Sequence, residues 1–143
     1  MEGDLVEGIY RAMIEDKDGM PMLGLTALKL GVRMGVDIVP DQSGMVYCPV
    51  FQPGDPNGLS CAPTIQDLPR FALPVEWGGS NRKTVVWRIE VADLGPLLVG
   101  REDSTPKRNG RHISVGPSGP MPFDDYLRTI QATRAKWKKV TKN

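Results

Sequence analysis

The chain has 143 residues, 40% hydrophobic and 24% charged, with a net charge of +1, which suits one globular domain and excludes a disordered segment. Glycine and proline together supply 29 residues, 20% of the chain, against a usual share of about 12%; this excludes a helical bundle and favours short strands joined by loops. No run approaches the roughly 18 apolar residues of a membrane-spanning helix. The acidic start (Glu2, Asp4, Glu7) is unlike a secretory signal, so the expected location is the cytosol, or export by a machine that needs no cleavable signal.

Residues 5–14 (LVEGIYRAMI) are rich in β-formers and end at the acidic turn Glu15-Asp16-Lys17-Asp18-Gly19, which predicts a first strand. Residues 25–33 place Leu25, Leu28 and Val32 at helical spacing behind Thr26, the pattern of a short capped helix that frays at Gly31. A turn at Asp41-Gln42-Ser43-Gly44 leads into a second strand at 45–50. Six prolines between residues 49 and 74 exclude long regular structure there, while Leu59, Ile65, Leu68, Phe71 and Leu73 predict a loop that packs. Residues 84–91 (TVVWRIEV) alternate and form the clearest strand, with Val85, Trp87, Ile89 and Val91 on the apolar face. A short apolar run at 97–99, a polar loop at 100–110 and a strand at 111–116 follow. A helix is expected from Pro122 to Lys138, with Asp124 and Asp125 at its positive end and Tyr126, Ile130, Thr133 and Trp137 on its docking face.

Six basic residues and no acidic one lie between Arg128 and Asn143, leaving residues 1–127 at −5. Such a tail suits a solvated helix end better than a nucleic-acid site, since it offers one aromatic, Trp137, and no nucleic-acid motif. Cys48 and Cys61 form no recognisable disulfide or zinc pattern, and the single histidine, His112, excludes a multi-histidine metal site. The sequence contains no GxGxxG, no GxxxxGK[ST] and no GxSxG, so the common dinucleotide, phosphate and nucleophile-elbow signatures are absent. What remains is polar residues at strand edges: Arg11 in the first strand, Arg33 at a helix end, Ser60 after Gly58-Leu59, and His112 opening RHISVGP. Each has a plain structural alternative. Arg11 can be an outward strand residue, Arg33 a helix-dipole partner, Ser60 a turn cap and His112 a satisfied half-buried histidine, while Tyr10, Tyr47 and Trp87 are commonly core.

Taken in order, these patches form a longer pattern. Ile-Tyr-Arg-Ala comes first, then Gly-Val-Arg with Asp-Ile-Val close behind, Gly-Met-Val-Tyr-Cys-Pro, Gly-Leu-Ser, and finally Arg-His-Ile-Ser-Val-Gly-Pro-Ser-Gly-Pro-Met before Lys-Trp-Lys-Lys. The pattern, running from about Tyr10 to Lys138, resembles the Tse-two family of toxins, type VI secretion effectors similar to small ADP-ribosyltransferases. The resemblance implies an α+β domain with two small curved β-sheets around a cleft, short helices and a C-terminal helix. It implies a cytotoxic effector that binds NAD and transfers ADP-ribose, or cleaves NAD, inside a target cell, with an acceptor there and an immunity protein in the producer.

On this pattern Arg11 or Arg33 holds the phosphates, Ser60 the ribose or nicotinamide, and His112 positions or polarises the acceptor. Tyr47 is a candidate to stack on nicotinamide. Ser60 matches the serine of a Gly-Thr-Ser patch in which the threonine is Leu59 here, and His112 occupies the strand slot where most such transferases carry a glutamate. Glu90 is the nearest alternative carboxylate. Cleavage of the nicotinamide–ribose bond passes through an oxocarbenium-like state, and the arginine fork suits a pyrophosphate. Two rival readings are a non-catalytic protein-binding toxin using the same cleft, and an RNA-directed enzyme using His112 with Arg111 and the basic tail. A third is an ordinary housekeeping domain.

Overall fold

The β-formers at the start of the chain become strand β1, Gly8–Ile14, in the computed structural model, which describes residues 7–48, 58–103 and 111–142. It pairs antiparallel with β4, Thr84–Glu90, in a register that sets Gly8 opposite Glu90 and Ile14 opposite Thr84. The strand β8, Lys138–Val140, lies on the other side of β4 and completes a sheet of order β1-β4-β8. A second antiparallel sheet has the order β3-β6-β5, built from Leu59–Cys61, His112–Pro117 and Leu98–Asp103. Two short strands, β2 (Met45–Val46) and β7 (Met121–Pro122), form a third pair that leads into helix α1, Phe123–Ala132. The result is a small α+β protein of antiparallel sheets with one C-terminal α-helix among the described residues. No helix among them is long and apolar enough to cross a membrane.

The two larger sheets meet at one point. Tyr10 and Ala62 exchange backbone hydrogen bonds of 2.8 and 2.9 Å, so β1 borders β3 and Arg11 comes beside Ser60. One core contains Ile9, Met13, Trp87, Ile89, Tyr126 and Trp137; a smaller one joins Ala12, Ala62, Leu68, Ala72, Leu73 and Val86. Both faces of β4 are therefore covered, and the expected apolar and mixed faces are core and second core. The proline-rich stretch packs where it is described: Leu59, Leu68 and Leu73 are buried and Ile65 is half-buried. Phe71 is the exception, 61% exposed. Of the second strand expected at 45–50, Met45–Val46 form β2, Tyr47 and Cys48 are not strand, and residues 49–57 lie outside the described residues.

Three expectations are corrected. Residues 25–33 form turns and isolated bridges, not a helix. Their backbone is claimed by tertiary partners: the Leu28 carbonyl accepts from Ile14 N–H at 2.8 Å, and Leu30 N–H donates to the Met22 carbonyl at 2.8 Å. Gly31 also sits so close to Gly24 that a Cβ would lie 2.2 Å from its carbonyl oxygen. The C-terminal helix ends at Ala132; a single 3-10 turn, Arg134–Lys136, follows, and the chain re-enters the first sheet as β8. The forecast docking face nonetheless holds, since Tyr126, Ile130, Thr133 and Trp137 are all buried. The polar loop expected at 100–110 is strand as far as Asp103, continuing from the apolar run at 97–99, because Arg101, Glu102 and Asp103 pair with Ser114, Ile113 and His112 at the sheet edge; residues 104–110 lie outside the described residues.

The basic tail is largely engaged by the protein itself. Arg134 binds Asp16 at 3.2 Å, Asp18 at 2.7 Å and the Pro21 carbonyl at 2.7 Å. Lys139 pairs with Glu15 at 2.9 Å, and Lys142 lies 5.5 Å from the Trp77 ring centroid. These contacts strap the C-terminal strand to the acidic turn after β1.

Gly58 carries a turn that places Ser60. Its φ is +135°, and a Cβ there would lie 2.3 Å from the Val115 carbonyl oxygen and 2.7 Å from the Tyr126 hydroxyl. That hydroxyl accepts from Leu59 N–H at 3.1 Å and donates to the Val115 carbonyl, knitting β3 to β6 and α1. Gly58→Ala is expected to cost about 2–3 kcal/mol from backbone strain and overlap, read as a lower urea midpoint with the slope unchanged.

Candidate functional site

A cleft of about 790 Å³ opens where the two larger sheets meet. β1 contributes Arg11 and Ala12; β3 contributes Ser60 and Cys61; β6 contributes His112 and Ser114; the remaining walls come from the 27–37 and 66–72 segments. Strand geometry explains the first group. Arg11 shares the inward face of β1 with Ile9 and Met13, since alternate residues of a strand point the same way, and all three are buried.

Arg11 is 7% exposed and its guanidinium is spent on main-chain carbonyls. Nη1 donates to Ser60 at 2.7 Å, and Nη2 donates to Ala27 at 3.2 Å and Lys29 at 2.9 Å. The buried Nε has no hydrogen-bond partner among the described residues. Burial lowers the Arg11 pKa below its ordinary value, opposed by Cys61 and Asp37. Arg11 thus fixes the floor of the cleft by holding three carbonyls that the absent helix at 25–33 and the short β3 leave open.

Ser60 and His112 meet above this floor. Ser60 Oγ lies 2.7 Å from His112 Nε2, and both residues are half-buried. Ser60 stands opposite Ser114 in the β3–β6 register, so His112 is its diagonal neighbour, within reach of a long side chain. In the tautomer that carries its hydrogen on Nδ1, the imidazole accepts the serine proton, which is the geometry of a hydroxyl beside its base.

Charge on the walls is arranged in pairs. Arg33 Nε and Nη2 each donate at 3.1 Å to Asp37, which raises the Arg33 pKa. Arg111 donates twice at 2.7 Å to Glu102, and its backbone N–H donates to Asp67 at 2.9 Å. The Arg111 guanidinium holds the Glu102 carboxyl below its usual range. Among the described residues the exposed Arg70 guanidinium makes no ion pair or hydrogen bond. Four arginines against two aspartates line the cleft, so its character is cationic and suited to an anionic ligand.

The structure brings together Arg11, Arg33, Ser60 and His112 and leaves Tyr47 and Glu90 outside the lining of the cleft. Tyr47 is half-exposed and its hydroxyl is tied to Asp41, whose carboxyl it holds well below the usual range. Glu90 ends β4 opposite Gly8 and pairs with Arg88 two residues away on the same face. The carboxylates that do line the cleft are Asp37 and Asp67. Asp37 stands in the quoted Asp-Ile-Val patch, a signal that could have found it; Asp67, Arg70 and Phe71 lie in the proline-rich segment, with none. Phe71 and Arg70 are held outward by their backbone: Asn81 Nδ2 donates to the Phe71 carbonyl at 3.1 Å, Ser80 N–H to the Arg70 carbonyl at 3.2 Å, and Leu68, Ala72 and Leu73 on either side are buried.

Cys61 lies on the same wall, but burial pushes its thiol up to about 12. It is therefore expected to resist iodoacetamide at about pH 8 in the folded protein and to react only with denaturant present; mass mapping of the alkylated peptide checks this. No cluster of three or more histidine, cysteine, aspartate or glutamate side chains among the described residues could hold a metal ion. Comparison with protein-family models, curated proteins and solved structures finds no match.

Proposed function

We propose that the chain is an ADP-ribosyltransferase-like toxin that consumes NAD as substrate in this cleft, transferring ADP-ribose to an acceptor in a target cell or releasing it to water. The observation that carries this reading is the convergence of Arg11, Ser60 and His112, residues 49 and 52 positions apart in sequence, through two contacts of 2.7 Å. These are the residues that the resemblance to the Tse-two toxins singles out. Two small sheets bordering a cleft also agree with the ADP-ribosyltransferase-like fold that it implies.

The roles within the cleft follow from which groups are committed. Arg11 is buried with both terminal nitrogens committed to carbonyls and so builds the floor, leaving the pyrophosphate to Arg70, assisted by Arg33 and Arg111 on the walls. Phe71, exposed beside Arg70, takes the stacking role on nicotinamide in place of Tyr47, which lies outside the lining of the cleft; an aromatic face buries a planar ring at little entropic cost. Ser60 and His112 face the ribose. In the producing cell an immunity protein is the expected safeguard, and in the target cell the acceptor is a macromolecule or water.

Calorimetric titration of the full chain with NAD tests the assignment of the cleft. Arg70→Ala and Phe71→Ala should each weaken binding about tenfold, by roughly 1–2 kcal/mol, without moving the unfolding midpoint, because both side chains are exposed. Absence of NAD binding by the wild-type chain overturns the reading.

A further inference from the structure

Among the described residues the cleft presents no uncommitted carboxylate to stabilise a cationic ribose. Both carboxylates that line it are engaged, Asp37 by the Arg33 fork and Asp67 by Arg111 N–H and the Thr64 hydroxyl, the latter at 2.7 Å. Instead, the side chains in contact at its centre are a hydroxyl and an imidazole, 2.7 Å apart. Both sit on paired strands of one sheet, with the Ser60 carbonyl pinned by Arg11, so the pair is held in place before any ligand arrives. The imidazole of His112 is within hydrogen-bond reach of the Ser60 hydroxyl, and a weak hydroxyl nucleophile needs a base at this distance.

We propose that Ser60 is a nucleophile in the NAD reaction and that the transfer runs through a covalent ADP-ribosyl-Ser60 intermediate; this rests on the reading of the cleft as an NAD site. In the first half-reaction Ser60 Oγ bonds to C1′ of the nicotinamide ribose. The C1′–N bond breaks, its electron pair neutralises the pyridinium nitrogen, and nicotinamide leaves uncharged. The serine proton passes to His112 Nε2. In the second half-reaction the acceptor hydroxyl, or water, bonds to C1′ and releases its proton to solvent. The C1′–Oγ bond breaks, and the imidazolium returns its proton to Ser60. Two displacements at C1′ retain the configuration, as in glycosidases that use a protein nucleophile, some of which employ a hydroxyl in place of a carboxylate. The nucleophile thus supplies the electron density that a free carboxylate would otherwise provide as a field.

The test uses the full chain with NAD and isotopically labelled nicotinamide. A covalent intermediate formed before acceptor attack returns labelled nicotinamide to the NAD pool, and rapid acid quenching leaves ADP-ribose on the Ser60 peptide. Both signals should appear in the wild type, fall by at least about 100-fold in Ser60→Ala, and slow in His112→Ala. Ser60→Cys keeps a nucleophile in place and should carry the adduct on sulfur, which guards against a Ser60→Ala variant that does not fold. NAD consumption with no exchange and no modified Ser60 peptide overturns the covalent route and leaves the NAD function standing. No NAD consumption at all overturns both.

Discussion

His112→Ala is expected to lower nicotinamide release by about 10²–10⁴-fold, the ordinary worth of a positioned acid–base group, while changing stability by less than about 1 kcal/mol. The small stability effect follows from position: the side chain is half-buried at the cleft, and the strand that carries it is held by backbone pairing on both sides. Ser60→Ala should cost about the same in rate. The double variant should be little worse than either single one, because a hydroxyl and its base act as one unit. Additive losses would instead mean that the two residues work independently and that their 2.7 Å contact is structural. The same variants expressed in a susceptible cell should relieve growth inhibition in parallel with the loss of rate.

Arg11→Ala should behave in the opposite way, losing stability first. It would leave the carbonyls of Ser60, Ala27 and Lys29 without their shared donor. Losing the hub of such a buried charged network costs about 3–5 kcal/mol. Arg11→Lys should recover little, since one ammonium cannot span three carbonyls with the planar fork's geometry. Chemical denaturation measures both variants directly. An arginine that merely gripped a phosphate would give the reverse result, with NAD binding weakened and the unfolding midpoint unchanged, and that outcome would contradict the role assigned to Arg11.

Several residues of the candidate site are legible in the sequence because they stand on elements with clear periodicity. Arg11 interrupts a run of β-formers, and His112 opens a short apolar strand, so each was placed at an element rather than in a loop. Ser60 was found through its Gly-Leu-Ser patch and not by periodicity, since β3 is only three residues long. The helix expected at 25–33 failed because local spacing carries no information about where backbone groups will find partners. Leu28 and Leu30 bond to β1 and to Met22, and Arg11 takes the carbonyls of Ala27 and Lys29. At the C-terminus, spacing named the buried face correctly, yet the helix stopped early. Thr133 closes it by returning its hydroxyl to the Ile130 carbonyl at 2.6 Å, and Trp137 then donates to Thr133 at 3.0 Å from a non-helical backbone. Glu90 and Tyr47 were misplaced for a related reason: alternation and aromatic character say which face a residue occupies, and not which cavity the tertiary fold brings near it.

The excess of glycine and proline now has a structural account. Gly58 takes a backbone conformation that side chains rarely adopt, and the segment from Pro63 to Pro74 holds Arg70 and Phe71 at the mouth of the cleft. Short strands joined by such loops build an arginine-lined cleft without any glycine-rich phosphate motif. On the walls of that cleft Arg33 is restrained by Asp37 and Arg111 by Glu102, so that Arg70 alone on that rim keeps its guanidinium uncommitted among the described residues.

The most direct measurement is incubation of the purified full chain with NAD labelled in its adenylate portion, in lysate of a susceptible cell, with nicotinamide release followed in the same reaction. The wild type is expected to release nicotinamide, with label appearing on an acceptor or as free ADP-ribose, and both signals should fall at least about 100-fold in His112→Ala. A wild-type chain that inhibits growth while leaving NAD intact and transferring no label would contradict that expectation.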